Sequence, residues 1–320
     1  MKLMDRTVRV DIDRDRCIGC GACVAVCPSE TLSLKDGKAV VRGAHSLSCG
    51  HCEAVCPEAA VSVRALQNDS LDFQTFSQRK AWLAPGAMDI ADLVQLMRSR
   101  RSCRNYRNRP VPPSVLQDLG RIGLTAPSGS NCQPWSFTLL PSRQAVIHLG
   151  DLIAAFFRRL NRTAERRLLR QTLKWIGRRD LDFYYRNYRD AVAEALNAWE
   201  RSGRDVLFHG APAAILVGVR PGAACPAEDA LLATQNILLG AHAMGLGTCL
   251  IGFAVSAFKN DPGIREQLNI PPGESVRAVI ALGYPDRKEV YQRLPGRKAL
   301  ISRVWEPRAK GTQDERPSEA

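Results

Sequence analysis

Long apolar runs are missing from this chain of 320 residues, and so is a leader: residues 1–10, MKLMDRTVRV, carry charges where an export signal needs an apolar core. Both absences predict a cytoplasmic protein with no membrane span. A reducing compartment in turn argues against a framework of structural disulfides. Histidine is scarce, with five in all, and His148, His209 and His242 share no ligand spacing. No catalytic side chain is assigned to them, and no Ser/His/Asp set can be read from the chain. Low-complexity tracts are absent, and nothing repeats except the cysteine runs described below. The run GLGTCLIG at 245–252 follows a helical pattern and enters a strand-like one. A nicotinamide fingerprint needs the reverse order, so no dedicated dinucleotide domain is expected. Acidic residues are outnumbered, 32 against 45 lysines and arginines, leaving a net charge of +13.

Cysteine, by contrast, is concentrated at one end. Seven of eleven fall within the first 56 residues. The first run is Cys17, Cys20, Cys23 and Cys27, followed by Pro28; the second is Cys49, Cys52 and Cys56, followed by Pro57. Zinc sites use two CxxC pairs or Cys/His pairs rather than three cysteines at three-residue steps closed by Cys-Pro. The first run matches the bacterial ferredoxin pattern, whose fourth cysteine crosses to the other cluster. The chain thus resembles a two-cluster 4Fe–4S ferredoxin. The resemblance implies that Cys17, Cys20, Cys23 and Cys56 hold cluster one, and that Cys27, Cys49 and Cys52 hold cluster two. The remaining ligand of cluster two should stand three residues before Cys49, where the sequence has Ser46. That corner is open to three fillings: a serine alkoxide, a water, or loss of one iron to give 3Fe–4S. His45 and His51 are further candidates nearby, His51 more as a hydrogen-bond donor to the cluster than as a ligand.

Local patterning supports a small lobe over 1–64. Residues 7–13 alternate as a strand, LSLKDGKAVV reads as a hairpin turning at Asp36-Gly37, and AVSV closes the lobe. So short a segment cannot bury a large core, and the clusters must supply much of its cohesion. Residues 65–88 read as a linker or wrapping arm, 89–307 as a second domain, and 308–320 as a disordered polar tail. In the second domain Asp89 caps a helix to about Arg98, and Pro113 starts another to about Thr125. Strands are expected at 213–219, 247–255 and 275–285, with an apolar helix over 227–244.

Five motifs then occur in order over about 200 residues: RRSCRNYRNRPV, APSGSNCQPWSF, GAPAAILVG, GLGTCLIGF and ALGYP. Together they resemble the FMN-dependent nitroreductase family, and the whole chain resembles its members with an N-terminal ferredoxin domain. The implied fold class is α+β, a ferredoxin-type iron–sulfur domain followed by an FMN domain with a central, mostly antiparallel sheet flanked by helices. By resemblance Arg100, Arg101, Ser102 and Arg104 grip the FMN phosphate and ribityl chain, joined by Arg293 or Arg297. Forked, permanently charged donors suit a phosphate dianion. Pro127, Ser128, Gly129 and Asn131 would lie against the isoalloxazine, and Ile251 and Gly252 would bring a backbone N–H to its hydride-carrying nitrogen. Trp135 reads as core. The family's intertwined homodimer places FMN at the subunit interface, so 127–131 would face the partner's flavin, and the apolar helix 227–244 fits a dimer core.

From Arg158 to Arg204 thirteen basic residues meet six acids, with Trp175, Phe183, Tyr184, Tyr185 and Tyr188 interleaved. Periodicity makes 155–205 a helical lid with Phe156, Phe157, Leu160, Leu168, Leu169, Leu173 and Ile176 buried. Its charge predicts anionic substrates or an acidic redox donor protein, not nucleic acid. Cys103, Cys132, Cys225 and Cys249 read as small buried residues. The expected activity carries electrons from the clusters to FMN and on to a small organic acceptor: a nitro group, quinone, enone or related molecule. Two alternatives stand beside it: an FMN-dependent dehydrogenase sending electrons outward to the clusters, and a non-enzymatic redox relay or sensor.

Overall fold

The computed structural model describes residues 6–66, 71–298 and 305. The polar tail, 308–320, lies outside them. Residues Met1–Val290 make one compact unit and Tyr291–Ala320 a second. In the second, 291–298 run as irregular and mostly exposed backbone.

The N-terminal lobe is built from β1 (Val10–Ile12), α1 (Ala22–Ala25), β2 (Leu32–Lys35), β3 (Lys38–Val41), α2 (His51–Ala54) and β4 (Val61–Val63). Strands β1 and β4 pair antiparallel with Val10 opposite Val63, and β2 and β3 form the hairpin. Its turn residues, Asp36 and Gly37, have φ of 51° and 71°, the left-handed pair that a tight hairpin demands and Asp-Gly tolerates. Each short helix starts after a left-handed glycine, Gly21 at φ 76° and Gly50 at φ 77°. The two halves therefore share one plan. Three of the eight residues in the lobe's buried cluster are cysteines. Few large side chains remain to contribute the ~1.5–3 kcal/mol each that full burial is worth.

The body that follows comprises α3 (Ile90–Ser99), α4 (Pro113–Gly123), β5 (Trp135–Leu140), α5 (Arg143–Glu165), α6 (Arg167–Trp175), α7 (Asp180–Asn187), α8 (Arg189–Ser202), β6 (Ala213–Val219), α9 (Pro226–Ala243), β7 (Gly247–Leu250), α10 (Gly252–Asn260), α11 (Pro262–Gln267) and β8 (Ser275–Gly283). The sheet runs β5-β6-β8-β7 and every neighbouring pair is antiparallel. Every residue of β6 is buried because both faces of the sheet are covered. Ile215 and Val217 pack with Leu116 and Leu119 of α4 and Ile237 of α9. Ala214 and Leu216 pack with Ile153 and Phe157 of α5 and Ala254 and Ala257 of α10. Asp89 caps α3 as expected, accepting from the Ala91 N–H at 2.8 Å.

Besides Cys225, which is exposed rather than buried, two expectations need correction. The strand at 247–255 stops at Leu250, and Gly252–Asn260 is helical. The ladder to β8 ends when the Ile251 N–H donates to the Val279 carbonyl. Ala254, Ala257 and Phe258 then fall on one helical face and bury there, which an unbroken apolar run conceals. The second correction concerns the lid. It is helical, but Leu168 is 79% exposed and Ile176 66% exposed. Helix α6 packs chiefly along α5 and α7 and has no buried residue. Phe157 is buried, while Phe156, Leu160, Leu169 and Leu173 are half-buried.

Candidate functional site

The crossed cysteine pattern closes two separate cavities. One is lined by Cys17, Cys20, Cys23 and Cys56. The other is lined by Cys27, Cys49, Cys52 and Ser46. His51 lines this second cavity and His45 does not. Among the described residues no three Cys, His, Asp or Glu converge as they would on a single metal ion. Thiols ringing a cavity fit a cube with iron at its corners instead.

Backbone donors point at the sulfurs. After each Cys-Pro step the chain turns back, so the Thr31 N–H reaches Cys27 Sγ at 3.4 Å and the Ala60 N–H reaches Cys56 Sγ at 3.2 Å. The Ala39 N–H reaches Cys17 Sγ at 3.4 Å. Hydrogen bonds from Ala39 and Gly19 hold the Cys17 thiol below its ordinary range. Burial pushes Cys23 and Cys52 up, a cost that a bound cation removes by taking the thiolate as ligand. Gly19, at φ 73°, lies so close under the hairpin that a Cβ would stand 2.0 Å from the Gly37 carbonyl oxygen. Its counterpart in the second half is Ser48, also left-handed at φ 50°. The Ser46 hydroxyl accepts from the Ser48 N–H at 3.0 Å.

The arginine segment lies at the other end of the unit. Ser102 bridges to Thr248, and the Cys103 N–H donates to the Thr248 carbonyl at 2.8 Å, so 102–103 runs along the outer edge of β7. Gly247 permits this approach: a Cβ there would meet Cys103 at 2.6 Å. Arg100 ends α3 and Arg101 follows it, half-buried. Burial raises the Cys249 thiol while Arg104, Ser102 and Arg100 oppose the shift, which places all three around that strand. Burial, then Arg104, lowers the pKa of His209. Arg100 and Arg104 thus bring positive charge to Cys249, with the Glu289 carboxylate among them, accepting from the Arg104 N–H and the Asn105 amide; guanidinium donors of this kind fit a phosphate. The Ile251 N–H is already bonded to Val279, so Gly252, in the first turn of α10, is the one of the pair with its N–H at an open helix start. Arg293 and Arg297 are exposed residues of the second unit.

The loop 127–131 leads into β5, the opposite edge of the sheet. Gly129 donates to the buried Asp229 at 2.9 Å, Ser128 accepts from the Gln133 N–H at 3.0 Å, and Pro127 is exposed. Trp135 is core, its indole N–H donating to the Asp229 carbonyl. Asn131 departs from expectation. Its amide is committed within the chain, donating to the Ser48 carbonyl at 2.8 Å and accepting from Gln133 at 3.3 Å. Sequence reasoning passed over Ser48 and Asp229, and also Asp118, whose buried carboxylate receives Gln74 and Thr75 of the linker. Only Ser48 had a signal: it occupies the place of Gly19 in the repeated plan. An apolar cavity of about 260 Å³ opens under the lid, between Phe157 of α5, Trp199 of α8, Phe208 and Phe253 of α10.

A family model described as nitroreductase family matches residues 97–284, and one described as a 4Fe-4S binding domain matches 10–33. The second cysteine run lies outside both segments. A 4-nitrobenzoate reductase of Nocardioides sp. is 29% identical over 221 residues, 64% of this chain and 84% of its own length. An NADH dehydrogenase of Thermus thermophilus is 26% identical over 219 residues, 68% of this chain and 98% of its own. A nitroreductase from Bacteroides fragilis, solved with bound FMN, superposes with a TM-score of 0.50 at 20% identity, over 67% of this chain and 99% of that one. That likeness is one of fold.

Proposed function

The chain belongs to the nitroreductase family and carries a 4Fe-4S binding segment ahead of it; from that premise we propose an iron–sulfur flavoprotein oxidoreductase that passes electrons from ferredoxin-type clusters to FMN and on to a small organic acceptor. The domains are 1–64 for the clusters, 65–88 as linker and 89–307 for the flavin. The observation that carries this reading is the pair of cavities, each lined by one of the two expected ligand sets within the same compact unit as the α+β body.

In this reading Cys17, Cys20, Cys23 and Cys56 hold a 4Fe–4S cluster, and Cys27, Cys49 and Cys52 with the Ser46 corner hold a second. Arg100, Arg101, Ser102 and Arg104 bind the FMN phosphate and ribityl chain. Gly252 supplies the backbone donor beside the ring. Bound FMN supplies the conversion between single electrons and a hydride. The protein orients the coenzyme, excludes water beneath the lid, and admits the acceptor through 155–205. The apolar cavity there suits the body of a small organic molecule, and the basic lid favours an anionic one.

Sheet topology supports a homodimer with FMN at its interface. The arginine segment lies along edge β7 and the loop 127–131 feeds edge β5, roughly 14 Å apart at ~4.8 Å per strand. A second copy brings such distant edges together. Helices α3 and α9 touch and leave Ile90, Val94, Met97, Leu231 and Leu232 exposed, an apolar surface fit for that contact. The test is anaerobic purification with iron, sulfide and flavin assays, then mixing with a reduced one-electron carrier or with NAD(P)H. Rapid reduction by the carrier through the clusters supports this direction. Reduction by an organic substrate or NAD(P)H alone, with the clusters filling last, would favour outward flow.

A further inference from the structure

The lobe does not hang from a flexible linker. Asp118, fully buried on α4, accepts from the Gln74 N–H, the Thr75 N–H at 2.7 Å and the Thr75 hydroxyl at 2.6 Å, and pairs with Arg121. Among the described residues another attachment is at the loop 127–131, made by Ser48 of the second half and by Arg6, whose carbonyl holds the Ser46 N–H. Two hydrogen-bonded strands of contact leave Ser46. One runs from the Ser46 hydroxyl through the Ser48 N–H and the Ser48 carbonyl to the Asn131 amide, with distances of 3.0 and 2.8 Å. The other runs from the Ser46 N–H to the Arg6 carbonyl at 2.8 Å and from the Arg6 guanidinium to Ser130 Oγ at 3.3 Å.

Ser48, Ser130 and Asn131 all have φ near 50°, a conformation that non-glycine residues hold only where surroundings over-determine it. In the first half the equivalent position is Gly19, closed off by the lobe's own hairpin. Among the described residues the hydrogen bonds of the Cys17 cavity stay inside the lobe. The two halves share a plan but differ in what covers them.

We propose that the group in the cavity of Cys27, Cys49, Cys52 and Ser46 is the flavin's immediate electron donor, and that Asn131 and Arg6 are positioning residues that seat it on the flavin loop. The inference rests on the functional reading above. Each transfer oxidises the second cluster by one electron and reduces the flavin by one. Two transfers, with two protons from water, complete the reduction, and an external low-potential one-electron carrier refills the clusters by way of the first. The odd, serine-bearing corner therefore faces the exit of the chain of carriers.

The test uses the full-length, iron- and flavin-loaded protein, reduced anaerobically by viologen radical in a stopped-flow instrument, with cluster and flavin bleaching followed separately. Asn131→Asp keeps the shape and tolerates the left-handed backbone but sets a carboxylate against the Ser48 carbonyl. Asn131→Gly only removes the donor. Flavin bleaching should slow about tenfold in the first and less in the second, at unchanged cluster bleaching. Arg6→Ala, which keeps the carbonyl that holds the Ser46 N–H and removes only the contact to Ser130, should slow it about twofold. The graded order is the signature of seating. Wild-type rates in loaded Asn131→Asp and in Arg6→Ala would overturn the proposal. If Asn131→Asp comes out without flavin, Arg6→Ala decides alone, by the same two outcomes. A wild-type protein lacking iron or flavin would overturn the functional reading and this inference with it.

Discussion

The N-terminal lobe and the α+β body present their candidate sites in opposite ways. In the lobe, ligands come from two short runs and close two cavities within one chain. In the body, the arginine segment and the loop 127–131 lie at opposite edges of the sheet. A small lobe with almost no apolar core needs its site in order to fold, whereas the body has two apolar clusters that hold it regardless. Stability and function are therefore coupled at one end of the molecule and separable at the other.

That contrast is broken most directly at a buried cysteine. Cys23→Ser should cost roughly half the iron per chain and expose 6–66 to proteases while 97–284 stays resistant. An intact lobe without that iron would show that its folding does not depend on the cluster. Next in size is Asp118→Ala. Leaving the linker's donors and Arg121 without their acceptor should cost ~3 kcal/mol in chemical denaturation. Burial alone would raise the Asp118 pKa, but Thr75, Gln74 and Arg121 outweigh it, so the carboxyl titrates below its usual range. Its contribution is present above the unfolded carboxyl range and lost as pH falls through the lowered folded value. Acid unfolding should accordingly be shallower in Asp118→Asn than in wild type.

Arg104→Ala touches the body's site without touching its core. FMN affinity should fall by ~1.5–3 kcal/mol, about ten- to a hundredfold, at unchanged melting temperature of the flavin-free protein. The smallest effect is a labelling contrast between two thiols. Burial lifts Cys103 to about 11, and Cys225 is exposed. In the native protein Cys225 should alkylate readily at neutral pH and Cys103 only on unfolding, as peptide mass mapping would report.

What could be read from the sequence depended on how local each signal was. The cysteine spacing, the Asp36-Gly37 turn and the Asp89 cap all act over a few residues, and the structure bears out the turn and the cap where they were placed. Strand β6 was legible because its apolar run is only seven residues long and carries Ile215, Val217 and Val219, which favour a buried strand over a helix. The run at 247–255 was misread because Ala254, Ala257 and Phe258 carry a helical period too short to stand out from the strand before it. Leu168 and Ile176 have the right spacing for burial, but among the described residues nothing covers them. The Asn131–Ser48 and Asp118–Thr75 contacts join residues 83 and 43 positions apart. Each depends on a short polar side chain whose partner only the fold supplies.

The central claim is that iron–sulfur groups and a flavin in this one protein exchange electrons. Anaerobic stopped-flow reduction of the loaded protein by a low-potential one-electron carrier tests it most directly. Cluster absorbance should bleach first, and flavin absorbance should follow at a rate independent of carrier concentration. Flavin that stays oxidised beside fully reduced clusters, or that bleaches only in proportion to added carrier, would contradict it.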